Sequence, residues 1–497
     1  MSAVVDDPRS YAPRTGAWVA APPETPAREV DAAVARAEAA APGMAALAPA
    51  VRQGWLARIA DALLGSADEL IELADEETAL GRDRLGGELA RASAALRFYG
   101  SAAAEGSWLD ATIDRGPGLD LRRSNRPLGP VAVFGASNFP FGFGVLGHDA
   151  GSALAAGCPV AVKAHPAHPR LSRRLGEVAA DALESAGAPR GAFALVHGFE
   201  AGIRLVTHPA TRAVGFTGSQ GGGLALWRLA NQRAVPIPVY AEMGTVNSVV
   251  VTRAAAAERG PVIAAGFVGS FSLGAGQFCT KPGLLLVPAG SGLCDVVAAE
   301  LERQAPRGWL LTRGIAEACA EGVQRLVRAG ATVLTTVSGP PSGWSMPTTL
   351  AVAPSSALHT GSPLLDECFG PVALVVEYEP DELPDILAAL PGSLAAGVQA
   401  GSDDPDVAAL VETLAARCGR VLVDDWPTGV AVTWAQHHGG PWPATSTPWA
   451  TSVGAAALRR FVRPVAFQNV PDTALPAELR DENPWSLPRR VNGAVPA

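Results

Sequence analysis

VAVFGASN, residues 131–138, is the stretch that decides the fold of this chain. Its first four residues form a short apolar run that ends at a glycine, which is typical of a buried strand. An alanine-rich stretch that suits a helix follows at 147–156, and a second apolar run follows at 160–162. Strand, helix and strand in this order indicate the βαβ unit of a parallel sheet.

The same alternation continues on both sides of residue 245. It predicts an open, doubly wound α/β sheet with sites at the carboxyl ends of its strands, followed by a second α/β block. The first block continues with helices at 170–186, 201–208 and 221–232 and strands at 192–196 and 213–216. The second block has helices at 261–273, 294–304, 314–329 and 405–417 and strands at 283–287, 373–378 and 420–423.

Several segments lie outside this alternation. Residues 26–48 and 51–74 carry apolar side chains at helical spacing and predict an N-terminal helical layer. The polar segments 107–126 and 460–475 are either surface loops or an extended arm with a tail strand. The residues from 481 onward are predicted to form a loosely held tail.

The composition excludes several classes of protein. A chain of 497 residues with 48% hydrophobic content can build large cores, and its net charge of -9 argues against a nucleic-acid partner. No basic segment followed by an apolar one opens the chain, and polar residues interrupt the uncharged stretches 127–147 and 261–280. We therefore predict no membrane span and a cytoplasmic address. The six cysteines form no CxxC pair and no metal-ligand cluster, so reduced thiols and no metal site are expected.

Polar residues at the ends of the predicted strands supply candidate chemistry. Asn138 follows the first strand, where its amide is suited either to donate to an oxyanion or to cap the turn. Lys163 follows the next strand and by itself reads as a solvated charge. Gly218 and Ser219 open a glycine-rich turn before a helix, whose N-terminal N–H groups favour phosphate.

Two further residues are candidates for acid–base and nucleophilic chemistry. Glu242 follows the apolar run 235–240, where partial burial would raise its proton affinity towards that of a general base. A salt bridge is the simpler alternative for a single carboxylate. Cys279 lies in GQFCT, residues 276–280, among small uncharged neighbours, and a thiol in this setting is suited to act as a nucleophile.

In this order, SNFP, VKAHP, GFTGS, AEMG, GQFC and the later DECFGP resemble the motifs of the aldehyde dehydrogenase superfamily over nearly the whole chain. The most similar branch contains 2,5-dioxovalerate (α-ketoglutarate semialdehyde) dehydrogenases and NADP-dependent fatty aldehyde dehydrogenases. The resemblance implies the aldehyde dehydrogenase fold, in a homodimer or a dimer of dimers. Its parts would be a Rossmann-like cofactor domain at 1–106 and 127–243, an α/β catalytic domain at 244–436, a bridging arm at 107–126 and 460–480, an active-site loop region at 437–459 and a tail at 481–497.

The resemblance also implies a mechanism. Cys279 would add to the aldehyde carbon, with the oxyanion held by the Asn138 amide and the Cys279 N–H. Hydride transfer to the nicotinamide would leave a thioester, which water activated by Glu242 hydrolyses to the acid. The residues implied to surround the cofactor are Lys163, His165, Arg204, Gly218, Ser219, Glu367 and Phe369. His438, in a late loop, would tune Cys279, relay a proton or simply hold its loop by a hydrogen bond.

Cofactor preference and substrate are less defined. Pro166 stands where many NAD-preferring members carry a glutamate, so no carboxylate there repels a 2′-phosphate, and NADP is favoured over NAD. The retained Glu242 argues against a CoA-acylating enzyme. The substrate 2,5-dioxovalerate needs a carboxylate clamp that the sequence does not locate, and a medium- or long-chain aldehyde is the alternative. Aromatic residues that would line a tunnel for such an aldehyde are Phe139, Phe141, Trp434 and Trp442.

Two functions of other classes stay open at this point. A thiol hydrolase or acyltransferase would use Cys279 with His438, but it would need neither the Gly218–Ser219 turn nor Lys163 and Glu367. A non-catalytic scaffold would be expected to have lost one of the three catalytic candidates, all of which are present.

Overall fold

The structure is a computed structural model that describes residues 10–494. Residues 1–9, on which the prediction of no signal segment partly rests, and the last three residues of the predicted tail lie outside the described part. Within residues 10–494, no helix is both long enough and apolar enough to cross a membrane. The described strands form a five-stranded, a seven-stranded and a four-stranded sheet, together with the short hairpin of Ser10–Tyr11 and Trp18–Val19.

The five-stranded sheet is parallel and has the predicted strand Val131–Phe134 at its centre. The chain runs outward from this strand in one direction, then returns and continues in the other. Val131–Phe134 is therefore the point at which the strand order reverses, and such a point is where doubly wound sheets bind ligands. In spatial order the strands are Phe193–Val196, Val160–Lys163, Val131–Phe134, Ala213–Gly218 and Val239–Met243.

Helices cover this sheet, and the predicted doubly wound architecture is confirmed. The N-terminal layer contains four helices rather than two, because Ser66 divides the second predicted helix and a further helix follows the left-handed turn at Ala79. The N-terminal helices are Ala27–Ala46, Pro49–Gly65, Ala67–Thr78 and Arg82–Glu105. The helices between the strands are His148–Ala156, Pro169–Ser185, Phe199–Thr207 and Gln220–Asn231.

The seven-stranded sheet begins with Asn247–Val251, whose five residues are all buried. All of its strands are parallel except Thr332–Val337, which lies antiparallel at one edge. In spatial order they are Thr332–Val337, Thr348–Ala353, Val372–Tyr378, Pro282–Pro288, Asn247–Val251, Ala396–Gln399 and Val421–Val423. The helices of this block are Arg253–Ser272, Leu293–Gln304, Arg313–Arg328, Leu383–Ala389 and Val407–Ala415.

The predicted helix 261–273 starts too late. The observed helix begins at Arg253, where the Thr252 hydroxyl accepts a hydrogen bond from the Ala255 N–H at 3.2 Å. Pro261 lies inside the helix because the backbone is already non-helical at Arg259, with φ at -145°. Proline has no backbone N–H and is therefore common in the first turn of a helix, which is why Pro261 predicted a helix start. In the structure Pro261 instead marks a kink within the helix.

The polar segments outside the two blocks form strands of the third sheet. Val462–Gln468 pairs antiparallel with Leu119–Pro127, which pairs in turn with Thr112–Gly116. The prediction of a loosely held tail is wrong for its described part, because Arg490–Val491 pairs with Thr112–Ile113 and Leu487 is buried. The functional boundaries assigned to the domains stay predictions.

Candidate active site

The three predicted catalytic residues come from both large sheets. Asn138 lies in the turn after Val131–Phe134, and Glu242 lies in the last strand of the five-stranded sheet. Cys279 lies in the loop that leads into Pro282–Pro288 of the seven-stranded sheet. Glu242 is also joined by an isolated antiparallel bridge to Thr445, which brings the late loop region against the first sheet.

His438 connects the thiol to the carboxylate. Its Nε2 lies 3.8 Å from Cys279 Sγ, and its Nδ1 lies 2.5 Å from Glu242 Oε1. The second carboxylate oxygen, Glu242 Oε2, accepts a hydrogen bond from the Ser452 hydroxyl. His438 is 4% exposed and Glu242 is 5% exposed, so their contact is shielded from bulk solvent, whereas Cys279 is only partly buried.

The charge state of His438 follows from these contacts. Burial alone lowers the pKa of His438, but the Glu242 carboxylate and the hydrogen bonds to Cys279 and Glu242 outweigh it and raise the pKa to about 10. The ring is therefore an imidazolium at neutral pH. A positive ring in contact with Cys279 stabilises the thiolate, which is the nucleophilic form of cysteine.

The loop that carries His438 is held in place by its own backbone. The His438 N–H donates to Thr451 Oγ1 at 2.8 Å, and the Ser452 N–H donates to the His438 carbonyl at 3.0 Å. These bonds place the histidine and the serine side by side on Glu242. Sequence reasoning missed Ser452, because nothing near it in the chain marks a partner that lies more than two hundred residues earlier.

The Asn138 side chain points at the loop of Cys279. Its Nδ2 donates to the Gln277 carbonyl at 2.9 Å, and because an amide nitrogen carries two N–H bonds a second donor remains for an oxyanion. The loop itself is fixed by Asn247, whose Nδ2 donates to the Cys279 carbonyl at 2.8 Å and to the Lys281 carbonyl at 3.0 Å. Asn247 is fully buried, so the position of the nucleophile does not depend on solvent.

Glycine is required at position 276, three residues before the thiol. Gly276 has φ at +67°, in the left-handed region, and a side chain there would overlap the carbonyl of Gly370. The loop of Cys279 therefore lies directly on the loop DECFGP, residues 366–371. This contact brings the candidate nucleophile next to the segment that carries Glu367.

The residues predicted for the nicotinamide end of the cofactor meet around Gly244. Ser219 caps the helix Gln220–Asn231, with its hydroxyl accepting from the Gly222 N–H at 3.2 Å, and the Gly244 N–H donates to the Gly218 carbonyl at 3.3 Å. A side chain at Gly244 would overlap the Glu367 carboxylate. The helix N-terminus and this carboxylate thus line one cradle, which suits a pyrophosphate and a ribose.

Glu367 lies in a site that disfavours its negative charge. Burial raises the pKa of Glu367 to about 7, although the nearby Lys281 acts in the opposite direction. Lys281 donates to the carbonyls of Cys368, Gly370 and Val372 at 2.7, 2.9 and 2.7 Å and so fixes the loop, which also carries Phe369. Sequence reasoning missed Lys281. A lysine at the start of an apolar strand could have indicated a buried cation that binds several carbonyl oxygens, because a buried cation requires acceptors.

The adenosine end agrees less well with the sequence prediction. Lys163 ends its strand and packs against Gly202 of the helix Phe199–Thr207. Burial lowers the pKa of His165 well below its usual value, so this ring is neutral. Arg204 is exposed and forms two hydrogen bonds with Asp31 at 2.6 and 2.8 Å. The assignment of these three residues to the cofactor stays a prediction.

The aromatic candidates for a substrate tunnel lie in three different settings. Phe141 is 2% exposed and belongs to the core of the first sheet, so packing accounts for it. Phe139 contacts Phe278, the residue before the thiol, with ring centroids 5.0 Å apart. Trp434 and Trp442 are both more than half exposed.

Comparison with known proteins defines the class. The model of the aldehyde dehydrogenase family matches residues 5–442, and the chain belongs to this family. It is an NAD(P)-dependent aldehyde dehydrogenase, which oxidises an aldehyde to a carboxylic acid. The thiol hydrolase, acyltransferase and scaffold alternatives are therefore set aside.

Two relatives and one solved structure show where the chain lies within the family. It is 44% identical to alpha-ketoglutaric semialdehyde dehydrogenase 2 of Azospirillum brasilense, over 89% of this chain and 87% of the relative. It is 38% identical to alpha-ketoglutaric semialdehyde dehydrogenase of Acinetobacter baylyi, with the same coverage. PnpE in complex with nicotinamide adenine dinucleotide has the same fold, with a TM-score of 0.79, 21% identity and 93% of each chain covered.

Proposed function

We propose that this protein oxidises 2,5-dioxovalerate to 2-oxoglutarate with NADP or NAD, through a thioester on Cys279. The names of the two relatives support the substrate, and Pro166 supports the acceptance of NADP. The observation that carries the mechanism is the continuous contact from Cys279 through His438 to Glu242. The cradle at Gly244 suits a nicotinamide cofactor, because the missing side chain lets the Glu367 carboxylate lie against Gly244, whose N–H donates to the Gly218 carbonyl at the start of the helix Gln220–Asn231.

The first half of the reaction uses the thiolate. Cys279 attacks the aldehyde carbon, and the negative oxygen that forms is held by Asn138 Nδ2 and the Cys279 N–H. Bound nicotinamide supplies the hydride acceptor. Asn247 keeps the nucleophile in place during this step through its bond to the Cys279 carbonyl.

The second half needs a base, and the geometry assigns part of this task to His438. Both oxygens of Glu242 are engaged, one by His438 and one by Ser452, so the ring nitrogen that faces the thiol is the group nearest the thioester. Acylation removes the thiolate charge, which is one of the causes of the raised pKa of His438. The ring then releases its Nε2 proton more easily. Nε2 is now free to take one proton from the attacking water, while Nδ1–H stays on the Glu242 carboxylate and orients the ring.

A small cavity beside Glu242 offers a route for that proton. It has a volume of about 20 Å³ and is lined by Glu242, His438, Thr445 and Ser452, among others. A polar cavity of this size accommodates one water molecule. We propose that the proton that His438 releases after acylation reaches solvent through a water molecule in this cavity.

The substrate proposal is tested by comparing aldehydes with both cofactors. We expect kcat/KM for 2,5-dioxovalerate to exceed that for pentanal, which has the same chain length, by more than about tenfold, because a site built for polar groups discriminates against an analogue that lacks them. The measurement is the absorbance of reduced nicotinamide. A higher kcat/KM for dodecanal would instead favour the long-chain alternative.

The role of His438 is tested by alkylation of Cys279 in the variant His438→Asn. The variant lacks the positive ring beside Cys279 Sγ, so we expect the rate with iodoacetamide at pH 7 to fall by about tenfold or more. In the unaltered protein, the pKa of His438 of about 10 keeps the ring positive between pH 6 and 9.

The matched control for this experiment is His437→Asn. His437 is the half-buried neighbour of His438, and its substitution removes a ring without touching the contact to Cys279. Alkylation is followed on the peptide that contains Cys279, by mass spectrometry. An unchanged rate in His438→Asn at pH 7 would show that the imidazolium does not activate the thiol.

We also propose a homodimer or a dimer of dimers. Val462–Gln468 is an edge strand of the four-stranded sheet, and an edge strand offers unpaired backbone groups to a second chain. Light scattering at several protein concentrations tests this proposal. The cytoplasmic address stays a prediction.

A further inference from the structure

The helix Arg82–Glu105 reaches the turn that carries the candidate oxyanion donor. From its first turn, Arg84 Nη2 donates to the backbone carbonyl of Asn138 at 2.7 Å. Arg84 thus binds the backbone of Asn138, while the side chain of Asn138 donates to the Gln277 carbonyl. Asn138 is thus held at two points, one on the helix and one on the loop of Cys279.

The same guanidinium also contacts both aromatic residues that flank the site. Its central carbon lies 5.2 Å from the ring centroid of Phe139 and 4.9 Å from that of Phe278. The two rings meet edge to face, with an interplanar angle of 90°. Phe139 follows Asn138 and Phe278 precedes Cys279, so Arg84 spans the gap between the oxyanion donor and the nucleophile.

One nitrogen of Arg84 is buried in a way that lowers the stability of the fold. Its Nη1 is buried without a hydrogen-bond partner and lies against Gly274, where a side chain would overlap it. A buried donor without a partner costs free energy, whereas an apolar side chain of similar length would fill the space between two rings without that cost. Packing alone therefore does not explain an arginine at this position, and its hydrogen bond to the Asn138 carbonyl is the feature that an apolar side chain could not replace.

Glu88, one turn further along the helix, holds the other end of the turn. Its Oε1 accepts from the Phe141 N–H at 2.8 Å and from the Gly142 N–H at 3.0 Å, and its side chain is buried. The turn is therefore fixed from one helix through a carbonyl and through two N–H groups. Arg84 and Glu88 therefore both hold the turn, but of the two side chains only Arg84 also contacts Phe278 in the loop of Cys279.

We propose that Arg84 is a positioning residue that sets the Asn138 amide against the Cys279 N–H and so shapes the oxyanion site. The inference rests on the proposed oxyanion role of Asn138. Without the guanidinium, the turn and the loop would be joined mainly by the bond from Asn138 Nδ2 to Gln277, and that amide would no longer be directed at the developing charge. Small displacements of such a donor reduce the rate strongly, because stabilisation of the oxyanion depends on preorganised geometry.

A double-mutant cycle between Arg84→Met and Asn138→Ala tests the inference. We expect Arg84→Met to lower kcat by about 10- to 100-fold while KM for the aldehyde changes by less than about threefold. In the Asn138→Ala background the same substitution should lower kcat by less than about threefold, because the donor that it positions is already absent. Arg84→Lys, which can still donate to the Asn138 carbonyl, should recover part of the loss.

The control variant is Arg91→Met, an exposed arginine on the same helix, which should keep the kcat of the unaltered enzyme. Alkylation of Cys279 by iodoacetamide forms no oxyanion, so Arg84→Met should leave its rate unchanged. Equal losses of kcat in both backgrounds, or a fall in the alkylation rate, would overturn the inference in favour of a general structural role. A full kcat in Asn138→Ala alone would instead refute the oxyanion role within the proposed function.

Discussion

We expect the variant Cys279→Ala to lose dehydrogenase activity by at least about 10⁴-fold. The reaction as proposed proceeds through a bond between Sγ and the aldehyde carbon, and a methyl group cannot form that bond. Cofactor binding should survive, because the cradle at Gly244 contains no atom of this side chain. Steady-state production of reduced nicotinamide and a fluorescence titration with NADPH measure the two effects separately.

A second cysteine variant provides the control. Cys294 lies in the helix Leu293–Gln304 and is, like Cys279, only partly buried. We expect Cys294→Ala to retain nearly full activity. If both variants were equally active, the assignment of the nucleophile would be wrong.

The second large effect is expected for Glu242→Gln, which should stop the reaction after one turnover. Release of the acid needs the base formed by His438 and the Glu242 carboxylate that orients it, whereas formation of the thioester loses only the support that Glu242 gives to the positive ring. Rapid mixing should therefore show a burst of about one equivalent of reduced nicotinamide per site, followed by a steady state that is at least about 100-fold slower. Hydroxylamine, which attacks a thioester without the help of a base, should restore turnover.

Ser452→Ala is the matched control for this variant. It removes the hydrogen bond to Glu242 Oε2 but keeps the carboxylate and its contact with His438. A smaller loss without a burst is expected. Rapid linear turnover by Glu242→Gln would mean that release of the acid does not depend on the contact between Glu242 and His438.

The central sheet could be predicted because its strands are local signals. The run Val131–Phe134 appears in the structure with the predicted bounds, since the four apolar residues between Pro130 and Gly135 include two β-branched valines and favour a buried strand. Thr332–Val337 and Thr348–Ala353 were not predicted. The first of these is an edge strand whose residues are mostly exposed, so it lacks the continuous apolar run that marks a buried strand.

The candidate site could be predicted only in part. Asn138, Glu242 and Cys279 each stand next to an apolar strand or a glycine-rich turn and were found as local motifs. Arg84 and Ser452 act through partners 54 and 210 positions away, and the sequence around them reads as an ordinary helix and an ordinary loop. Their roles depend on tertiary contacts, which periodicity does not report.

The contacts of Glu242 with His438 and Ser452 determine when the candidate active site can form during synthesis of the chain. The five parallel strands up to Met243 emerge early and can form their sheet while synthesis continues, since domains generally fold as units from the N-terminal end. Almost two hundred further residues must be synthesised after Glu242 before its partner His438 is present. Val462–Gln468 and Arg490–Val491 join the sheet begun by Thr112–Gly116 and Leu119–Pro127 later still. A nascent chain stalled before residue 438 would therefore carry a folded first sheet but lack the histidine on which turnover is proposed to depend.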